Sequence, residues 1–303
     1  MSAQGHVPAP SGDFVLPFDL GQLGVRGRLV RLDKTSARAL SAHKLGEGPA
    51  RVLAESLALC AMLGTALKLD GRLTVQTKSA GALDLIAADY YGANGTIPRG
   101  VRGYARVKAE RLTALDDISS FATLVGEGSL AITIEPRRGG QTYQGIVSLA
   151  REGIAASAQT YFAQSEQLPT ILRLAAAPLY KSSSREPHWR AGGIMLQVTA
   201  EAARNDDDWE RLSLLVKTVE DIELLDTELS AETLLWRLFN EDEVRVQPFE
   251  SLAFRCDCDG ARIASVLKSY HVTERAGLSD PDGVIRARCE FCGNVHEISA
   301  AEL

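Results

Sequence analysis

No stretch of this 303-residue chain is apolar for long enough to cross a bilayer; the longest uncharged apolar run covers residues 57–67. That is about half of the roughly 20 residues a membrane helix needs. The first ten residues show no basic stretch followed by an apolar core. No secretory leader is therefore expected there, and a cytoplasmic location is. A Gly-x-x-x-x-Gly-Lys-Ser/Thr phosphate loop is missing, which excludes ATP hydrolysis by that route. So are the Gly-x-Ser-x-Gly nucleophile elbow and the His-Glu-x-x-His of zinc hydrolases. Gly126-Glu127-Gly128-Ser129-Leu130-Ala131 copies a dinucleotide fingerprint poorly, because it precedes a strand instead of opening a helix. The five histidines are scattered. With no grouping of acid, base and nucleophile, the chain is expected not to be an enzyme.

Cysteine is scarce as well, and its placement is informative. Four of the five cysteines lie near the C-terminus, Cys256 and Cys258 as Cys-Asp-Cys and Cys289 and Cys292 as Cys-Glu-Phe-Cys, with 30 residues between the pairs. Two such pairs have the layout of a tetrahedral zinc site, each supplying two thiolates. Gly293 and Asn294 follow the second pair and suit the positive φ of a tight knuckle. The one-residue spacer of the first pair is shorter than the usual two and brings its thiols within disulfide reach if a metal leaves. A structural zinc clip, a redox-responsive site and unliganded thiols all fit this spacing. In a reducing compartment permanent disulfides do not. Residues alone allow three disulfide pairings. The neighbours are of mixed charge (Arg255, Asp257, Asp259, Arg288, Glu290), so no strong local field lowers the thiol pKa values. His296, four residues after Cys292, is read as a surface histidine rather than a substitute ligand, and Cys60 as a small core side chain.

At 45% hydrophobic residues the chain can bury a sizeable core in two or three domains. Its net charge of −6 is unevenly spread. Residues 1–199 carry 22 basic and 16 acidic side chains, residues 200–245 carry 5 and 14, and residues 246–303 carry 6 and 9. Between a basic body and a cysteine-bearing end, the acidic middle either docks on the body by charge complementarity or remains a solvated connector. The acidic C-terminal end argues against nucleic acid.

Residues 25–32 alternate as a strand and 33–43 suit a short helix. A helix of about 20 residues follows from Pro49 through Val52, Leu53, Leu57, Cys60, Leu63 and Leu67. Residues 72–77 and 83–86 alternate as strands, 129–135 and 141–147 make a hairpin about a Pro-Arg-Arg-Gly-Gly turn, 154–167 read as a helix, and 192–199 as a strand. Asp206-Asp207-Asp208 opens an amphipathic helix with Trp209, Leu212, Leu215, Val216 and Val219 on its apolar face. Ser230 caps another containing Leu234, Leu235, Trp236, Leu238 and Phe239. The expected fold is α+β: a mixed sheet-and-helix body at 1–199 with one layer of sheet against helices, an acidic helical linker at 200–249, and a small zinc-binding module at 250–303.

Cys-x-Cys followed about thirty residues later by Cys-x-x-Cys-Gly-Asn resembles the redox-regulated thirty-three-kilodalton heat-shock chaperones of bacteria. So do Gly71-Arg72-Leu73-Thr74-Val75-Gln76, Val101-Arg102-Gly103-Tyr104-Ala105, Tyr161-Phe162-Ala163-Gln164-Ser165-Glu166-Gln167-Leu168-Pro169-Thr170, Ala191-Gly192-Gly193-Ile194-Met195-Leu196-Gln197 and Leu238-Phe239-Asn240-Glu241, in the family's order. The likeness runs from about Phe14 to the C-terminus; residues 1–12 and Cys60 fall outside it. It implies an ATP-independent holdase of the oxidative stress response. In the reduced, inactive form Cys256, Cys258, Cys289 and Cys292 would hold Zn2+. Oxidation would join Cys256 to Cys258 and Cys289 to Cys292 and release the metal. The partners implied are unfolding client proteins and, once oxidised, a second copy of the chain, with no nucleic acid, membrane or ATP. A module of this size is near the lower limit for a self-sufficient core, and structural zinc supplies about 10–16 kcal/mol in small modules. Losing the metal is therefore expected to unfold the module and free the acidic helices, and raised salt to loosen them. The other reading is a zinc-module adaptor whose metal is permanently structural.

Overall fold

The computed structural model describes residues 12–112, 120–180, 186–199 and 205–303. The leader reading on the first ten residues and the start of the acidic segment, 200–204, lie outside them. The body contains β1 (Phe14–Leu20), β2 (Val25–Leu32), α1 (Lys34–Leu40), α2 (Glu47–Ala66), β3 (Gly71–Ser79), β4 (Leu83–Tyr91), β5 (Gly100–Val107), α3 (Ala109–Leu112), α4 (Phe121–Val125), β6 (Gly128–Pro136), β7 (Tyr143–Ser148), α5 (Ile154–Tyr161, continued by a π-turn over Phe162–Glu166), β8 (Thr170–Leu179) and β9 (His188–Val198). The acidic segment forms α6 (Asp206–Thr218), α7 (Asp221–Leu225) and α8 (Ala231–Leu238). After them come β10 (Val244–Val246), β11 (Glu250–Ser251), β12 (Ala253–Phe254), α9 (Gly260–Lys268), α10 (Val272–Leu278), β13 (Val284–Arg288) and β14 (Val295–Ser299).

The expected single layer of sheet is in fact two. One sheet has the order β10-β1-β2-β9-β8 with β11 also on β1, and the other β12-β5-β4-β3-β6-β7. The sequence of α2 gives the reason. It carries apolar or small side chains almost all round, and nearly every residue from Gly48 to Thr65 is buried. A helix without a polar face needs cover on every side. It packs on β3, β4 and β5 of one sheet and on β2, β8 and β9 of the other. Cys60 sits fully buried on it, its Sγ donating to the Ala88 carbonyl at 3.2 Å, and burial raises its thiol well above the ordinary range. It is a core side chain, as the sequence suggests. No helix among the described residues is long and apolar enough to cross a membrane.

One acid on α2 is out of place in this setting. Burial pushes the carboxyl of Glu55 up to about 7, opposed by Arg51 and reinforced by Asp221. A carboxyl that holds its proton more tightly folded than unfolded favours the folded state as pH falls, and stability is lost as pH rises from 4.5 through 7. Glu55→Gln is expected to stabilise the protein by roughly 2–3 kcal/mol at pH 8, with the gain vanishing below about pH 4.5. Urea titrations across that range check it, and a difference independent of pH would sink it.

The acidic segment docks on the outer face of the first sheet. Leu212, Val216, Val219, Leu224, Leu234, Leu235 and Phe239 are buried against Phe14, Leu16, Phe18, Leu29, Ile194 and Leu196. The two expected helices are present, though Trp236 stays 67% exposed instead of joining the apolar face. A third, α7, starts with a capping box between Glu220 and Glu223. Apolar contact dominates this interface, and the ion pair Arg173–Asp221 crosses it at 2.9 Å. From α8 the chain adds β10 and β11 to the edge of the first sheet, then β12 in parallel to β5 at the edge of the second. It thus straddles both sheets immediately before Cys256.

Candidate metal centre

Backbone pairing delivers the first two cysteines. The Arg255 N–H donates to the Val101 carbonyl at 3.0 Å, extending the β12–β5 pairing up to the residue before Cys256. Arg255 also makes a two-pronged contact with Asp257 at 3.0 and 2.9 Å. Beyond Cys258, Asp259 caps α9 by accepting from the Ala261 N–H. Cys256 and Cys258 are held between a sheet edge and a helix start.

Cys289 and Cys292 lie in the turn joining β13 to β14. The Cys289 N–H donates to the Asn294 carbonyl and the Gly293 N–H to the Cys289 carbonyl, both at 2.8 Å. Gly293 takes φ +73°, as the sequence suggests, a conformation a side chain would strain. The tight turn aims the N–H groups of Cys292 and Phe291 at the Cys289 sulfur.

The four sulfurs converge to within 4.8 Å of one another. Cys256 and Cys289 are 3.7 Å apart and Cys258 and Cys292 3.5 Å apart. Four thiolates at about 2.3 Å from a tetrahedral ion lie about 3.8 Å apart, so this donor set fits a thiophilic divalent metal. Cys292 is buried and the others are half-buried. Burial raises the Cys258 thiol, and the neighbouring sulfurs raise it further. Burial also raises Cys256, opposed by Arg102 and the Cys258 N–H. For Cys289 burial acts upward too, but the N–H groups of Cys292 and Phe291, with hydrogen bonds from the other sulfurs, hold the thiol below its ordinary value. Four such sulfurs cannot all be thiolates without a cation among them. His296 lies half-buried on β14, outside the sulfur group.

The body supplies the surroundings. Arg102 of β5 donates through Nη1 to the Cys256 Sγ at 3.6 Å and lies over the Phe291 ring, 4.0 Å from its centroid. Tyr104 packs on the same ring at 6.1 Å. Arg38 of α1 donates to the Cys292 carbonyl at 3.3 Å, and Arg288 to the Ala42 carbonyl at 2.9 Å. The sequence reading found all four sulfurs but none of these contacts. Arg102 lies 154 residues from Cys256, and no spacing rule links a lone arginine to a cysteine so far away.

The family model described as Hsp33 protein matches residues 13–299 of the chain. A 33 kDa chaperonin of Caulobacter vibrioides is 37% identical over 292 residues, covering 94% of each chain. One from Escherichia coli O17:K52:H18 is 34% identical over 294 residues, 97% of this chain and 94% of that one. The crystal structure of the 33 kDa chaperonin (heat shock protein 33 homolog) of Thermotoga maritima superposes with a TM-score of 0.75 at 21% identity, covering 96% of each chain, and has the same fold.

Proposed function

This chain belongs to the Hsp33 protein family, and on that premise we propose that it is an ATP-independent holdase chaperone switched on by oxidation. The observation that carries the reading is the convergence of four sulfurs at the point where the chain leaves the edges of both sheets. In the reduced protein Cys256, Cys258, Cys289 and Cys292 would hold zinc, whose chemistry there is structural: four thiolates fixed as one cross-link. Two equivalents of peroxide oxidise the centre. Each would join one pair of thiolates as a disulfide, taking their two electrons and two protons from solvent to form two waters, and so release the zinc as its ligands are lost. The resemblance pairs Cys256 with Cys258 and Cys289 with Cys292. Their sequence neighbourhood supports that pairing, because such partners stay close when the surrounding fold is lost and partners 33 or 34 residues apart do not.

Residues 250–303 then lose their cross-link, and with them goes the anchor that holds β10–β12 on the two sheets. Release of residues 200–249 uncovers Phe14, Leu16, Phe18, Leu29, Ile194 and Leu196 on the first sheet. A face of this kind, together with the apolar sides of α6 and α8, captures unfolding clients in the cytosol. A second copy of the chain is the other partner the resemblance implies for the oxidised form.

The test follows metal release with a chromogenic chelator while reduced protein is treated with peroxide at raised temperature, alongside aggregation of an unfolding client. Metal loss and suppression of aggregation are expected together, reversed by reductant plus zinc, with Cys60 reduced throughout. Metal retained under peroxide with no suppression would leave a structural clip in a zinc-module adaptor.

A further inference from the structure

We propose that Arg102 is a positioning residue that ties the four-cysteine centre to the body, holding the Cys256 sulfur and the Phe291 knuckle with one guanidinium. The proposal takes from the function above only that the reduced sulfurs hold a metal.

Arg102 and Asp89 are register partners on β5 and β4. Asp89 is 3% exposed and accepts from Thr74 Oγ1 at 2.6 Å, which fixes its carboxylate within the sheet. Arg102 places both Nε and Nη2 on a single oxygen, Asp89 Oδ2, each at 2.8 Å. Its remaining nitrogen, Nη1, reaches the Cys256 Sγ, and its flat face covers Phe291, which lies between Cys289 and Cys292. One side chain thus touches both halves of a site whose two pairs come from distant parts of the module.

The same two strands carry an internal comparison. Arg106 and Asp84 form a pair in which Nε meets Oδ1 at 2.9 Å and Nη2 meets Oδ2 at 3.0 Å. That is the ordinary fork-to-fork geometry of arginine and carboxylate. The Asp89–Arg102 pair gives it up, and the nitrogen so turned points to sulfur.

A thiolate accepts a charge-assisted hydrogen bond from a guanidinium, whereas a disulfide sulfur is neutral and accepts weakly. The Nη1–Sγ contact is therefore strong only while Cys256 is a thiolate. Joining Cys256 in a disulfide would remove it, and moving Phe291 would uncover the other side of Arg102. The body then loses this one of its holds on the module at the moment the sulfurs change state.

The experiment compares Arg102→Gln, Asp89→Asn and the control Arg106→Gln in the reduced, zinc-loaded full chain without oxidant. Two readouts are used: the rate of zinc transfer to a chelator, and the alkylation rate of each cysteine by peptide mass spectrometry. Arg102→Gln is expected to speed zinc transfer about tenfold, in line with losses of outer-shell partners. It should raise alkylation of Cys256 ahead of Cys258, with Asp89→Asn in the same direction and Arg106→Gln at the wild-type rate. Arg102→Gln at the wild-type rate would overturn the proposal, as would equal acceleration in Arg102→Gln and Arg106→Gln, which marks a general loss of body stability. A wild-type protein that purifies without zinc would instead overturn the functional reading.

Discussion

Removing the metal from the reduced protein is expected to unfold residues 250–303, taking β11 and β12 off the sheet edges, while strands β1–β9 persist. The interior of that segment is small: Leu267, Ile285 and Ile298 are its buried cluster, with Ile263, Ala264, Ala300 and Leu303 partly buried around them. The one sheet it forms by itself is the two-stranded β13–β14 ladder, and a lone hairpin is marginal in water. Val266, Val272 and Leu278 are each at least half exposed, so α9 and α10 add little burial. Against this, structural zinc supplies about 10–16 kcal/mol of apparent binding free energy, which in small modules is folding free energy. Amide hydrogen exchange with chelator and reductant both present reads the outcome directly. Amides of α9, β13 and β14 should exchange at nearly unfolded rates, while those of β3, β4 and β9 keep their protection. Cys258→Ser should act in the same direction, and Cys60→Ser should leave metal content unchanged. A segment that stays protected without metal would mean the small core and its body contacts suffice, and the switch would lose its physical basis.

How much of this was legible in the sequence varies by element. The strand at 25–32 matches β2 at both ends, and the hairpin expected at 129–147 is β6–β7. The hairpin has one face toward the core, so its alternation survives; β2 is covered on both faces, Val30 and Leu32 toward α2 and Val25 and Leu29 toward the acidic helices, and alternates only in its first half. By contrast β1 is buried at almost every position and contains Pro17, so it shows neither alternation nor ordinary strand composition. β8 reads Thr-Ile-Leu-Arg-Leu-Ala-Ala-Ala-Pro-Leu, and its alanines suit a helix as well as a strand. Tertiary pairing with β9 settles it. The single-sheet expectation failed because α2 is apolar nearly all round and needs a sheet on each side, whereas the sequence reading placed a single layer of sheet against the helices. At the metal centre the cysteines were legible because chelation demands short local spacings. Arg102, Arg38 and Tyr104 act over long sequence separations through ordinary side chains. The charge split left two readings for the acidic segment, docking by charge complementarity or a solvated connector; the segment docks, and its interface is chiefly apolar. Salt should therefore loosen it less than the charge split implied.

The charged residue that does matter at that interface works through carbonyls. Replacing Arg31 with methionine is expected to release α6–α8 from the first sheet while the metal stays bound. Arg31 lies on β2 and is 5% exposed. Its Nε donates to the Leu224 carbonyl at 3.2 Å, its Nη2 to the Glu223 carbonyl at 3.0 Å, and its Nη1 to the Leu229 carbonyl. Two of these belong to the end of α7, a helix of five residues whose last carbonyls have no partner within the helix. A guanidinium there satisfies them and complements the negative end of the helix dipole. The backbones lie close: a Cβ at Gly192 on β9 would sit 2.6 Å from the Leu224 oxygen. Arg190 adds a donor to the Leu225 carbonyl at 3.4 Å. Methionine fills the volume but donates nothing. At about 1–3 kcal/mol for each carbonyl left unpaired, docking weakens by about 3 kcal/mol or more, roughly a hundredfold in the undocked population. Limited proteolysis of the reduced, zinc-loaded variant should cut within residues 219–230, and the variant should suppress client aggregation without oxidant. Arg173→Gln, which removes the exposed pair to Asp221, should change little, since such pairs contribute about 0–1 kcal/mol. If reduced Arg31→Met resists protease and ignores clients, apolar packing alone holds the helices. If it binds clients with its metal in place, uncovering the sheet is sufficient for capture, and the cysteines serve only to decide when that happens.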